Sequence, residues 1–275
     1  MKRPIALLLA LLPMLYAANA QEYLEVPSPK PGATLYRTTY MEQDGKSVRS
    51  FTYRYDPSGR IALWVAYPLN ASLIGSGSRG EGWTPDPGLH ESLQAILYKG
   101  FPRDSGYDRG HQIPSADRLD PKANAQTFRF TNATPQLHTF NGGIWVELEK
   151  RVRTWAKRSD TLYVVTGCIP GKGSINDNAG HPVNIPSAYY KAVLRRNKTR
   201  SGATEWTACA VLLEHRDYPV GTWQQNAALF KENSITIRQL EKLTGETFFP
   251  LLGKLIPQQQ INEIKNETSS DWWWR

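Results

Sequence analysis

The stretch that decides the fold of this 275-residue chain is Tyr107-Asp108-Arg109-Gly110-His111-Gln112-Ile113-Pro114. Side chains two residues apart on a strand share one face, so Arg109 and His111 are predicted to point the same way and Asp108 the other way. Gly110 leaves the backbone open to close approach by a ligand. An imidazole accepts a proton from water near neutral pH, and a guanidinium holds phosphate. By itself, this stretch fits a phosphate-cleaving site and a histidine without a functional role equally well.

A second stretch places Asn141 at the entry of a predicted helix from near Gly143 to Lys157. The apolar positions of that helix lie 3, 4 and 3 residues apart, on one helical face, at Trp145, Leu148, Val152 and Trp155. Asn141 lies four residues before Trp145 and continues this face. Its amide oxygen suits a hard cation such as Mg²⁺, but an Asn before a helix also commonly caps the first turn. The residues alone favour the cap.

Three motifs follow one another along the chain: Asp-Arg-Gly-His at 108–111, Asn-x-Thr-Pro-Gln at 132–136 and Asn-x-Gly-x-Trp-x-x-Leu-Glu at 141–149. In this order they resemble the DNA/RNA non-specific endonuclease family, which are ββα-metal nucleases of the His-Me finger type. Similar stretches extend the match to residues 64–67, 79, 83–87, 163–167, 185–191 and 240–245. The resemblance covers roughly residues 60–250, and several motifs in one order are far more specific than any single motif.

The resemblance implies a role for each matching residue. His111 would be the general base that activates the attacking water, and Asn141 would be the direct protein ligand of one Mg²⁺, for which Mn²⁺ could substitute. Arg109 and Arg79 would bind the phosphate and stabilise its transition state. Asn132 would help to order the catalytic site.

Glu149 would hydrogen-bond a metal-bound water. Eight residues of ideal helix separate it from Asn141, a rise of about 12 Å and a rotation about 80° away from it. Glu149 is therefore expected to reach the ion only through waters, or if Gly142-Gly143 delays the regular helix.

The pattern of strands and helices predicts a single α+β domain, and the resemblance implies a central antiparallel sheet with a ββα-metal finger active site. Strands are predicted at 34–41, 50–55, 61–69, 127–131, 162–169, 188–195 and 207–213, with a short one from Tyr107. A second helix is predicted at 235–244. The predicted parts are a signal peptide (1–20), an N-terminal extension with the first strands (21–59), the nuclease domain (60–255) and a C-terminal tail (256–275).

The first twenty residues have the pattern of an export signal. Lys2 and Arg3 precede an apolar run that is too short to span a bilayer, and small residues end at Ala20. Cleavage is expected near Ala20, followed by a periplasmic or secreted location. The formal net charge of +8 falls to +6 when this segment and its two cations are removed. Such an excess favours polyanions, in agreement with DNA and RNA as substrates.

Several alternatives stay open at the level of sequence. Cys168 and Cys209 fit a disulfide or two buried thiols about equally. The run Trp272 to Trp274 has no evident physical reason. An exported protein that binds nucleic acid without cutting it, or a metal-dependent phosphodiesterase acting on smaller diesters, would share much of the pattern. Intact Arg109, His111 and Asn141 argue against the non-cutting protein.

Overall fold

The structure is a computed structural model, and it describes residues 23–268 and 271–274. The predicted signal peptide lies outside these residues. Within them, no helix has the length and apolar character needed to cross a membrane.

A seven-stranded antiparallel sheet forms the centre of the molecule, with the strand order β1-β2-β3-β6-β9-β10-β11. Two short hairpins, β4–β5 and β7–β8, stand outside it. The strands are β1 (Leu35–Gln43), β2 (Lys46–Asp56), β3 (Ile61–Leu69), β4 (Tyr107–His111), β5 (Ala133–Leu137), β6 (Thr161–Ile169), β7 (Ser174–Asn176), β8 (Pro182–Asn184), β9 (Ala188–Lys198), β10 (Thr204–Glu214) and β11 (Ser234–Ile235).

The described helices are mostly short, and the longest has 12 residues. They are α1 (Ala71–Ile74), α2 (Pro121–Thr127), α3 (His138–Phe140), α4 (Val146–Lys157), α5 (Trp223–Glu232), α6 (Ile237–Thr244) and α7 (Gln258–Asn266). This architecture confirms the predicted α+β domain with a central antiparallel sheet. The two predicted boundaries around residues 59 and 255 stay predictions; β1 and β2 pair into the same sheet as β3.

The strand predicted at 127–131 is wrong. Asp120 caps α2 by accepting the N–H groups of Lys122 and Ala123, and Pro121 occupies the first turn, so the chain is helical up to Thr127. A 3₁₀ turn at Phe130–Asn132 follows, and the strand begins only at Ala133. The turn buries the apolar and β-branched side chains of this stretch as a strand would. A period-2 pattern therefore does not distinguish the turn from a strand.

One face of the sheet packs against α6 and α7. Alternate residues of β6, β9 and β10 point to this face and are apolar or aromatic: Tyr163, Val165, Tyr190, Ala192, Leu194, Trp206, Ala208 and Ala210. Ile237 and Leu240 of α6 and Ile261 and Ile264 of α7 pack against them. This layer is an ordinary apolar core built from the period-2 alternation of the strands.

The opposite face packs against α4 through Leu148, Val152 and Trp155. The run of tryptophans near the C-terminus belongs to this layer: Trp273 is fully buried, and the indole Nε1 of Trp155 donates to its carbonyl oxygen at 2.8 Å. The tail therefore packs on the helix that follows the β4–β5 hairpin.

Cys168 and Cys209 are both buried free thiols. Cys168 on β6 lies opposite Tyr189, and Cys209 on β10 lies opposite Val193. The two cysteines therefore pair with different residues of β9 and not with each other. Of the two alternatives that the sequence left open, the structure has the thiols.

Candidate active site

The β4–β5 hairpin and α4 form a ββα unit at the sheet face that carries α4. His111 lies opposite Ala133, Arg109 opposite Pro135 and Asp108 opposite Gln136. A Cβ on Gly110 would lie 2.2 Å from the side chain of Gln136. Gly110 is thus required for close packing within the hairpin, and the predicted approach of a ligand to it is wrong.

A cleft of about 1010 Å³ opens between this unit and the loop that precedes β4. Five of the six predicted site residues line it: Arg79, Arg109, His111, Asn141 and Glu149. The sixth, Asn132, is buried behind them. Residues that the sequence spreads over seventy positions therefore meet in one place.

His111 packs against two aromatic rings that also contact each other, with their centroids 5.4 Å apart. Its ring centroid is 4.6 Å from that of Trp83 and 5.0 Å from that of Phe128. Burial, and then the positive charges of Arg79 and Arg109, lower the pKa of His111 to about 3. The imidazole is therefore neutral at neutral pH, as a base must be. Its Nε2 atom is buried and makes no hydrogen bond to any described residue.

The two predicted phosphate ligands each contact one of these aromatic rings. The guanidinium carbon of Arg109 is 5.3 Å from the centroid of Trp83, and that of Arg79 is 5.6 Å from Phe128. Arg109 Nη1 also donates to the carbonyl oxygens of Leu97 at 2.7 Å and Tyr98 at 3.1 Å. Arg109 and His111 thus share one side of β4, as period-2 alternation predicts.

Asn132 orders the chain that follows His111. Its side chain accepts the N–H of Ile113 at 3.0 Å and donates to the carbonyl oxygens of Ile113 at 3.0 Å and Thr127 at 2.8 Å. It is 1% exposed, so its polar atoms are used within the scaffold. This arrangement fits a positioning residue rather than one that touches substrate.

Asn141 is not the N-cap of α4, because α4 begins five residues later and Asn141 lies in a wide π-helical turn, Asn141–Trp145. Its Nδ2 instead donates to Oδ2 of Asp108 at 2.9 Å, and that carboxylate also lies 3.0 Å from His138 Nδ1. Asp108, predicted on the far face of β4, therefore contributes to the cleft. With the amide nitrogen engaged, the amide oxygen is the atom of Asn141 that suits a hard cation.

The irregular turn also settles how Glu149 comes near Asn141. Gly143 has φ −101° and ψ −116°, outside helical values, so the regular helix starts only after the two glycines. Glu149 then lines the same cleft as Asn141. Burial raises the pKa of Glu149 to about 7, and the charges of Lys191 and Arg153 oppose that rise.

Three charged residues had no predicted role: Arg153, which lines the cleft, and Asp117 and Lys191, which are buried behind it. Arg153 donates to Asp117 Oδ1 at 2.9 Å, Tyr67 donates to Asp117 Oδ2 at 3.0 Å, and Lys191 donates to Thr166 Oγ1 at 2.8 Å. Lys191 is 1% exposed. The sequence does indicate the burial of Lys191. It lies two residues from both Tyr189 and Val193 on one strand and so shares their inward face, where a lysine needs a polar partner.

The cleft is positively charged overall. Two carboxylates, of Asp108 and Glu149, face five cations: Arg79, Lys99, Arg103, Arg109 and Arg153. Across residues 23–268 and 271–274, no three His, Cys, Asp or Glu side chains cluster in a way that could hold a metal ion. The donor set, one amide oxygen with two nearby carboxylates, fits a hard cation that keeps most of its waters and does not fit a closed zinc site.

Comparison with known proteins agrees with this geometry. Residues 31–254 match the model of the DNA/RNA non-specific endonuclease family. A nuclease of Nostoc sp. is 31% identical over 224 residues, which are 78% of this chain and 77% of that protein. The mitochondrial nuclease EXOG of Xenopus laevis is 30% identical over 73% of this chain, which spans 56% of its length.

Among solved structures, the complex of EndoG with its inhibitor EndoGI has a similar fold. The TM-score is 0.62 at 21% sequence identity, and the match covers 86% of this chain and 92% of that chain. The likeness extends over most of the described fold. The chain therefore belongs to the DNA/RNA non-specific endonuclease family of metal-dependent nucleases, hydrolases that act on the phosphodiester bonds of nucleic acids.

Proposed function

We propose that this protein is an exported endonuclease that hydrolyses both DNA and RNA with little sequence preference, using His111 as general base and one Mg²⁺ held by Asn141. The observation that carries the proposal is the imidazole of His111 in a cleft lined by five cations, with Asn141 at the same cleft. A base, a cation ligand and phosphate ligands thus converge on one volume.

The proton transfer falls to Nδ1 of His111, because Nε2 is the buried ring nitrogen. Desolvation and the two arginines keep the ring unprotonated, so it is ready to take the proton of a water aimed at phosphorus. Trp83 and Phe128 pack against the ring and restrict its rotation. Asn132 fixes the backbone that follows it.

Asn141 would hold the ion through its amide oxygen, oriented by the hydrogen bond of its nitrogen to Asp108. A bound Mg²⁺, or Mn²⁺ in its place, supplies positive charge that polarises the phosphate and stabilises the leaving oxygen. Glu149 would accept a hydrogen bond from a water of the ion, and Lys191 behind it favours the ionised carboxylate that this requires.

Arg109 and Arg79 would bind the non-bridging phosphate oxygens as charge develops there. Phosphate is common to every nucleotide, so these contacts carry no base information, and weak sequence preference follows. The net positive charge supplies affinity that falls as salt rises.

Export rests on the apolar stretch that ends at Ala20; the exported protein should begin at Gln21 by mass spectrometry, and a retained Met1 would contradict it.

The test incubates residues 21–275 with supercoiled plasmid, with structured RNA and with a small chromogenic phosphodiester, each with Mg²⁺ or with EDTA. Metal-dependent cutting of both polymers is expected. His111→Ala should lower the rate by about 10²–10⁴-fold without a loss of melting temperature, since removing a general base costs that much.

Each other outcome has a meaning. Cleavage of the small diester alone would contradict the endonuclease proposal and support a phosphodiesterase that acts on smaller diesters. Binding of both polymers without cleavage in several divalent ions would leave a non-cutting nucleic-acid-binding protein. Cleavage that persists in His111→Ala would show that His111 is not the general base.

A further inference from the structure

We propose that Tyr98, at the lip of the cleft, is a stacking platform for one nucleobase of an unpaired strand; this rests on the proposed function and names the form of substrate that the site prefers. Of the Tyr98 residue, 56% is exposed, which is unusual for an aromatic residue beside a deep cleft. The next residues, Lys99 to Arg103, line the cleft itself.

The loop that carries Tyr98 is held rigidly by the turn between β7 and β8. Asn178 donates its N–H to the carbonyl of Ile96 at 2.9 Å, accepts the N–H of Lys99 at 2.8 Å through Oδ1, and donates to the carbonyl of Gly100 at 2.8 Å. Asp177 accepts the N–H of Ile96 at 2.8 Å. Four hydrogen bonds therefore fix residues 96–100 without involving the Tyr98 side chain.

The ring itself has a firm support on one side. It packs nearly perpendicular to Phe130, with centroids 4.9 Å apart, and Phe130 is fully buried. A ring held in this way loses little conformational freedom when a second ring stacks on it. An exposed aromatic on a flexible loop would lack this advantage.

The position of Tyr98 relative to Arg109 selects a nucleobase as the occupant. Arg109 Nη1 donates to the backbone oxygens of Leu97 and Tyr98, so the guanidinium that is proposed to bind phosphate contacts the loop that carries the ring. Lys99 and Arg103 add positive charge beside it. A backbone phosphate on these cations brings its neighbouring base to the ring, and aromatic rings stack on bases with little regard to sequence.

An unpaired strand is required because the bases of a duplex are already stacked on one another. A base in single-stranded DNA, or in a loop of RNA, can turn outward and stack on a side chain at small cost. The platform therefore favours single strands over duplexes by lowering KM, while the chemistry at the phosphate is unchanged.

The experiment measures cleavage of a single-stranded oligonucleotide and of the matched linear duplex by wild type, Tyr98→Ala, Tyr98→Phe and the control Tyr40→Ala. Tyr40 is also an exposed tyrosine, at 51%, but it lies on the edge strand β1 away from the cleft. Tyr98→Ala should raise KM for the single strand about five- to 100-fold, as loss of one stacked base predicts, with little change in kcat or in duplex cleavage. Tyr98→Phe should recover most of that loss.

A second measurement does not depend on how well a variant folds. In a single strand with one abasic position, wild type should cut one bond near the gap more slowly than the other bonds, and Tyr98→Ala should cut evenly. An even pattern with wild type, or a Tyr98→Ala enzyme with wild-type KM, would overturn the platform while leaving the nuclease in place. Failure of wild type to cut any strand would instead refute the proposed function.

Discussion

The two faces of the central sheet are built from alternate residues of the same strands, yet they differ in what they bury. Toward α6 and α7, β9 presents Tyr190, Ala192 and Leu194. Toward α4, the same strand presents Tyr189, Lys191 and Val193. One face holds apolar surface against helices, and the other holds a charge beneath the cleft.

The consequence is a division between stability and chemistry. Apolar burial stabilises the fold in proportion to area, whereas a buried charge costs free energy unless it is well paired. On the face toward α4, Lys191, Asp117 and Arg153 surround the carboxyl of Glu149. Such a cluster is weak evidence for stability, and it alters the pKa of a group that faces the cleft.

The largest effect is expected from the apolar face. Leu240→Ala should lower the free energy of unfolding by about 2–5 kcal/mol, because Leu240 is fully buried in the layer between α6 and the sheet. Urea unfolding measures this loss. Nuclease activity per folded molecule should stay at the wild-type level, since α6 does not line the cleft.

Leu243→Ala is the matched control, because Leu243 lies on the same helix but is 57% exposed. It should leave unfolding nearly unchanged. Equal destabilisation by both variants, or a lowered kcat in folded Leu240→Ala, would break the division between the two faces.

A smaller change in free energy, but a change in chemistry, is expected from the other face. Lys191→Met removes a positive charge that opposes the raised pKa of Glu149, so that pKa rises further above about 7 and the carboxyl is protonated at neutral pH. Activity at pH 7 should fall about 10–100-fold, the cost of losing a residue that supports a metal ligand. The loss should shrink as the pH rises and Glu149 ionises.

Lys198→Met, at the exposed end of the same strand, is the control and should retain wild-type activity. A Lys191→Met enzyme whose deficit is the same at every pH would show that the lysine acts by packing alone.

The smallest effect concerns the base. Arg79 is one of the charges that lower the pKa of His111, after burial, so Arg79→Gln should raise that pKa. Protonated His111 is inactive as a base, and a raised pKa means protonation at higher pH. The pKa of His111, followed by NMR titration of its ring protons, should therefore move upward by less than about one pH unit, whereas the acid limb of the kcat/KM profile reports Glu149, whose pKa is about 7.

The exposed Arg216, paired with Glu214 outside the cleft, provides Arg216→Gln as control. A His111 titration that does not move in Arg79→Gln, or that moves equally in the control, would show that the charge of Arg79 does not act on His111.

Periodicity and motif order were sufficient for much of this protein. Alternation predicts most of the sheet strands and the shared face of Arg109 and His111, and spaced apolar residues predict α4. The order of the motifs is sufficient to identify the family. These features are local, or depend on residue types at fixed spacing, and they are readable without knowing what lies across the fold.

Other features were decided only by tertiary packing. The 3₁₀ turn at Phe130–Asn132 has the composition of a strand, and α5 and α7 lack an apolar stripe strong enough to stand out in the sequence. Gly143 interrupts the helical geometry, which brings Glu149 to the cleft of Asn141. Asp108 contributes to that cleft because Asn141 reaches it from another element.

The lowered pKa values of Lys191 and His111 belong to the same class. Desolvation lowers both pKa values; the charge of Arg79 lowers that of His111 further, whereas the charge of Glu149 opposes the fall for Lys191. Residue types and their spacing determine which chemistry this chain can perform. The electrostatic state of each group depends on which residues surround it in three dimensions, and that is set only when the sheet, the hairpin and α4 pack together.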